Sequence, residues 1–183
     1  HLVQALRYDA PRRLADGLAA RGRRFRSALD LGCGTGLCGP HLRALADRVT
    51  GVDLSRNMLD KAQALGIYDT LVQADVLAYL AAAREPVDLV MAADVFIYVG
   101  ALDGVFREVA RLLPDGGSFC FTVEEATAGE LELRPSLRYA HSEDLLRRLA
   151  DANGLRVGSL ERGTVREEQR APIPGLFTWL EKG

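Results

Sequence analysis

Three carboxylates and a run of glycines carry the chemistry this chain could do. Asp30 lies just ahead of Gly32-Cys33-Gly34-Thr35-Gly36, with glycines at every second position, Asp53 ends the run Val49-Thr50-Gly51-Val52, and Asp75 follows Leu71-Val72-Gln73-Ala74. Glycine takes backbone angles that other residues avoid and lets a ligand lie directly against the main chain. A carboxylate at a strand end can accept both hydroxyls of a ribose, an arrangement an amide only half satisfies. Gly34-x-Gly36-x-x-Gly39 is a literal match to the dinucleotide fingerprint, and Asp53 sits near the offset of about twenty residues expected there for a ribose-binding acid. Asp30 argues against that reading, because an acid inside the strand before the first glycine repels a pyrophosphate and welcomes a cationic ligand. Three such acids in series are improbable as three coincidental solvated charges.

The elements that must position these residues alternate strand and helix. Ala28 to Leu31 reads as a strand buried on both faces, Leu37 to Asp47 as a helix with Pro40 in its first turn, and Val49 to Asp53 as a second strand. Ser55 is a helix N-cap before Met58, Leu59 and Ala62. A third strand ends at Asp75, a helix runs through Leu77 to Ala83, and Val87 to Ala92 is the fourth strand. Leu102 to Leu113 is an amphipathic helix, stopped by Pro114-Asp115-Gly116-Gly117 before a fifth strand, Ser118 to Val123. Residues 124–139 read as an irregular insertion and a candidate lid. A helix capped by Ser142 runs to Ala152, and two closing strands, Leu155 to Arg166 and Leu176 to Lys182, flank a turn at Pro172 to Gly175 as an antiparallel hairpin. Ahead of the first strand, Leu2, Ala5 and Leu6, then Leu14, Leu18 and Ala19, predict two short helices packed over the ligand end of the sheet.

The run Asp30-Leu31-Gly32-Cys33-Gly34-Thr35-Gly36 resembles motif I of class I S-adenosylmethionine-dependent methyltransferases, and the likeness extends over the whole chain, strongest from Ser27 to Val123. The resemblance implies an α/β fold: a Rossmann-like, doubly wound, mostly parallel seven-stranded sheet with a C-terminal antiparallel strand and helices on both faces. It implies S-adenosylmethionine as cofactor and S-adenosylhomocysteine as product, held by Asp30, Gly32, Cys33, Gly34, Thr35, Gly36 and Asp53. Asp75 matches the family's adenine-binding position, with the Val76 N–H donating to a ring nitrogen. Leu54 and Met58 stand where they could pack on the adenine, though Met58 equally suits a core, and Ala92 joins the cofactor set at the end of strand four. The helices before motif I often close over the cofactor in relatives, which makes Tyr8 and Arg12 candidates, with ordinary packing and solvation as the alternative. The pairing of Asp94 and Tyr98-Val99 with Arg138-Tyr139-Ala140-His141-Ser142 looks like methyltransferases that carry tetratricopeptide repeats, which implies a repeat region ahead of His1 in the natural protein.

Methyl transfer is an in-line displacement at a sulfonium carbon, so the protein must align the acceptor and exclude water, with a base only where the acceptor must lose a proton. Candidates at the right end of the sheet are Asp94, Tyr98 and His141. Each has a plain alternative: Asp94 could cap a turn, Tyr98 could pack, and His141 could begin a helix. No Asn-Pro-Pro-aromatic signature and no cysteine follows strand four, which leaves a small molecule, or a protein side chain or terminus, as the unidentified methyl acceptor. A non-catalytic binding module on the same fold and a nicotinamide-dependent oxidoreductase are the alternatives.

At 183 residues with 48% hydrophobic and 26% charged residues, the chain suits one domain. That domain divides into N-terminal helices (1–26), a cofactor-binding core (27–123), and the insertion, last helix and hairpin (124–183). A net charge of −2 gives no general attraction to nucleic acid or anionic membrane, and the arginines of residues 12–26 read as a solvated face. No signal peptide or membrane-spanning run is present, and three cysteines suit a reducing compartment, so a cytoplasmic location is expected. Cys33, Cys38 and His41 lack a fourth ligand, so no metal site is expected.

Overall fold

Strands buried on both faces build the centre of the sheet, and amphipathic helices cover it. A computed structural model describes residues 9–183. In chain order the elements are α1 (Ala10–Ala19), β1 (Phe25–Leu31), α2 (Gly39–Leu45), β2 (Ala46–Asp53), α3 (Arg56–Ala64), β3 (Thr70–Gln73), α4 (Val76–Ala82), β4 (Leu89–Ala92) and α5 (Asp103–Leu112). Then come β5 (Ser118–Glu125), β6 (Leu131–Leu133), β7 (Tyr139–His141), α6 (Glu143–Ala152), β8 (Leu155–Glu168) and β9 (Ala171–Lys182). All four residues of β4 and the last four of β1 are buried, the near-continuous apolar pattern of strands covered on both sides.

Strands β3-β2-β1-β4-β5 are parallel, β9 runs antiparallel beside β5, and β8 pairs with β9. Strand order therefore reverses between β1 and β4, the position where open α/β sheets bind ligands beyond the carboxyl ends of their strands. One face packs Leu14 and Leu18 of α1 with Leu42 and Leu45 of α2. The other takes Leu80 of α4, Val105, Phe106 and Val109 of α5, and Leu146 and Leu149 of α6. Phe96 anchors the turn after β4 against Phe121, ring centroids 5.3 Å apart, and this fixes the backbone of the loop at the switch point.

Four expectations change. Residues 124–139 are not irregular: β5 continues to Glu125, and β7 adds to it in parallel through Glu124 and Glu125, with β6 antiparallel to β7. The sheet thus has nine strands among the described residues, the expected seven plus this short pair. The pair extends the sheet edge beside β5, and none of its residues lines the cleft described below. The hairpin turn lies at Gln169 and Arg170, both at positive φ (47° and 66°), and Pro172 and Pro174 lie inside β9. Their missing N–H groups are tolerated because β5 pairs β9 only from Gly175 onward, leaving one edge of that stretch open.

The fourth change concerns α1, which lies flat on a sheet face and not over the ligand end. Trp179 Nε1 donates to the Leu14 carbonyl at 3.0 Å, and Gly17 crosses the indole so closely that a Cβ there would come within 2.5 Å of it. The helix expected over residues 2–6, and Tyr8, lie outside the described residues.

Candidate active site

The glycine loop and Asp53 form one unit. Gly32, Gly34 and Gly36 all have positive φ (60°, 54° and 98°), the region open to glycine and strained for other residues. Their missing side chains serve different ends. A Cβ on Gly32 would strike Val95 at 2.6 Å, and one on Gly36 would strike Leu65 at 2.7 Å, so these two permit close packing of the loop. A Cβ on Gly34 would meet only the Met58 sulfur, at 3.7 Å, because that backbone faces a cleft. The Gly34 N–H donates to Asp53 Oδ2 and the Ser55 N–H to Asp53 Oδ1, each at 2.9 Å. Asp53 is thereby fixed at the end of β2, with lone pairs on both oxygens left for a ligand.

The cleft has a volume of about 430 Å³ at the carboxyl ends of β1, β2 and β4. Gly32, Cys33, Gly34 and Thr35 form one wall with Asp53 and Met58, Leu37 and Cys38 close the α2 side, and Ala93, Asp94, Val95 and Tyr98 form the opposite wall. Tyr98 is 67% exposed at the rim. Burial pushes the Cys33 thiol up to about 12, helped by the Asp30 and Asp53 charges, so Cys33 lines the cleft as an inert thiol. Cys33, Cys38 and Cys120 are all free and buried, and no described group of three His, Cys, Asp or Glu residues could hold a metal.

Asp30 does not meet the cleft. It is 1% exposed beneath the loop, with Oδ2 accepting from the Tyr68 hydroxyl at 2.6 Å and Oδ1 without a partner. Burial raises its pKa to about 7, Tyr68 opposing the shift and Asp53 adding to it. In this structure it supports the floor of the loop through Tyr68. Asp75 likewise spends one oxygen on the fold, accepting from Ala78 N at 3.0 Å as the cap of α4. It, Val76 and Leu54 sit at the carboxyl ends of β2 and β3, outside the lining of the cleft. Ala92 is fully buried in β4.

Of the three catalytic candidates, the structure brings two to the cleft. Asp94, at φ 61°, donates its N–H to Thr122 Oγ1 at 2.9 Å and accepts from Arg166 Nη1 at 3.0 Å through Oδ1. Tyr98 follows on the same wall. His141 is 0% exposed within β7, its Nε2 2.6 Å from the Gly100 carbonyl and its Nδ1 unpartnered, and it does not line the cleft. Burial lowers its pKa, favouring the neutral ring. Arg12 pairs with Asp9 on the surface of α1, also away from the cleft. Two contributors escaped the sequence: Tyr68, whose only signal was an aromatic residue ahead of β3, and Arg166, which reaches Asp94 from β8 across 72 residues.

A strand-order reversal roofed by a glycine loop, with a ribose-ready carboxylate on the neighbouring strand, defines a Rossmann-like cofactor-binding domain. The family described as methyltransferase domain matches residues 29–121, and the chain belongs to it. It is 37% identical over 134 residues to a malonyl-acyl-carrier-protein O-methyltransferase of Enterobacter lignolyticus, covering 72% of this chain and 51% of that protein. The chain spans about half the length of the curated relatives it matches. Among solved structures, the N-methyltransferase NodS of Bradyrhizobium japonicum in complex with S-adenosylhomocysteine superposes with a TM-score of 0.75 at 17% identity, covering 96% of this chain and 88% of that one. Magnesium protoporphyrin IX methyltransferase from Synechocystis PCC 6803, also with S-adenosylhomocysteine bound, gives 0.73 at 20% identity, covering 96% and 82%. No described helix is long and apolar enough to cross a membrane.

Proposed function

We propose that this chain is an S-adenosylmethionine-dependent methyltransferase acting in line on a small molecule or a protein group. The observation that carries the reading is the cleft in which Gly34 bares its backbone beside an Asp53 carboxylate held by two N–H groups, within a chain of the methyltransferase family. The residues fit the cofactor. Gly34, Thr35 and Met58 would flank it, Asp53 would take the ribose hydroxyls, and Leu54, Asp75 and Val76 stand at the strand ends where the adenine would reach. The bound cofactor would supply an activated methyl on sulfur. Asp94 and Tyr98 would face the acceptor.

The pairing of Asp94 and Tyr98-Val99 with Arg138 to Ser142 supports a narrower likeness to methyltransferases bearing tetratricopeptide repeats. The three unpaired cysteines support a cytoplasmic setting. Calorimetry tests the core of the reading: S-adenosylhomocysteine should bind and NAD should not. Heat with NAD alone would replace the methyltransferase by an oxidoreductase.

A further inference from the structure

The acceptor wall narrows what can be methylated, on the footing of the methyltransferase reading. We infer that Asp94 admits acceptors presenting an O–H or N–H, namely hydroxyls and amines, and turns away free carboxylates, with Arg166 as the residue that positions it. The charged side chains among the described residues lining the cleft are two carboxylates, Asp53 and Asp94, and none is cationic. Arg166 lies behind Asp94 with both terminal nitrogens engaged, Nη1 by Asp94 and Nη2 by Glu124 and, at 3.4 Å, Glu168, while its buried Nε has no partner. Glu124 is held from the other side by Arg134 at 2.8 Å, and Glu168 by Arg138. With Glu132 3.6 Å from Arg134, three guanidinium groups thus meet four carboxylates, which leaves no surplus positive charge in that cluster for an incoming anion.

Asp94 Oδ1 is taken by Arg166, while no described residue bonds Oδ2, on a side chain 25% exposed at the cleft. An acceptor carboxylate must be ionised to attack, and against Asp94 it would place like charges together in a partly desolvated site. A hydroxyl or amine donates to Oδ2 instead. Its lone pair forms the new bond to the methyl carbon while the sulfur–carbon bond breaks with its pair left on sulfur, and its proton passes to Oδ2. Burial, outweighing Arg166, holds the Asp94 carboxyl above the usual aspartate range and so strengthens it as a proton acceptor.

The test uses methyl-labelled S-adenosylmethionine with small-molecule and protein fractions of an extract of the source cells. Mild base releases methyl esters as methanol and leaves methyl ethers and methylamines intact, so acceptor class is read without knowing the acceptor. The expected label is base-stable, and Asp94→Asn, which keeps a residue tolerant of positive φ, lowers its incorporation by about tenfold or more with S-adenosylhomocysteine affinity unchanged. Arg166→Lys keeps the charge but cannot reach both partners in the same geometry. Its loss should not add to that of Asp94→Asn in the double variant, which a purely structural role would not produce. Label recovered as methanol, or wild-type transfer by Asp94→Asn, overturns the acceptor class while leaving the methyltransferase standing. A protein that binds S-adenosylhomocysteine yet transfers nothing overturns both, and one that does not bind it overturns the parent reading first.

Discussion

Asp53 pins the glycine loop through Gly34 N and Ser55 N, and on the proposed reading its remaining lone pairs would take a ribose. Asp53→Ala should therefore weaken S-adenosylhomocysteine binding by about 10- to 100-fold, the worth of charge-assisted hydrogen bonds. Asp53→Asn, which keeps one acceptor, should fall between, and unchanged affinity by calorimetry in both would remove Asp53 from the site. Its place at the strand end beside the loop was legible because a strand end, an acid and an offset are all local. Asp30 was legible as an unusual acid but its burial beneath the loop was not, because sequence spacing does not say which side of a loop a carboxylate turns to. The Tyr68 hydroxyl decides that, from 38 residues away.

At the scale of elements, periodicity and caps located nearly every strand and helix, since Ser55 and Ser142 do accept from Met58 N and Leu145 N as N-caps should. What failed was context. The short strands β6 and β7 have too few residues for a period, and they are stabilised by docking on β5. Pro172 and Pro174 read as a turn because nothing local shows that one edge of β9 is free there. The seat of α1 on Trp179 gives an element-scale expectation. Gly→Ala inside a helix ordinarily stabilises by about 0.5–1 kcal/mol. Gly17→Ala should instead destabilise by about 1–3 kcal/mol, because its Cβ overlaps the indole and must push α1 off the sheet. Urea unfolding followed through the emission of Trp179, the sole tryptophan, measures both the sign and the displacement.

Across the whole molecule, Asp30 makes stability depend on pH in an unusual direction. Its folded pKa, about 7, lies above the unfolded value near 3.8, so the native state holds a proton that the unfolded chain releases first. This group's penalty is absent below the unfolded value, grows as pH rises, and is complete above the folded one, where it amounts to about 4 kcal/mol. Asp30→Asn keeps an acceptor for Tyr68 and removes the charge. Its stability advantage over the wild type should widen from pH 5 to pH 8, and an equal gap at both pH values in urea melts would show that Asp30 is ionised throughout.

One feature of the sheet also bears on how the molecule comes into being. β9 lies between β5 and β8, yet it is made after both. On a ribosome the β1 to β5 half can assemble as its residues emerge, while β5 waits with an open apolar edge for a strand some fifty residues further on. Arg166 reaches Asp94 only when that hairpin has docked. A nascent chain would thus hold the glycine loop and Asp53 in place before Asp94 gains its Arg166 contact, with β9 acting as the step that completes that wall of the cleft.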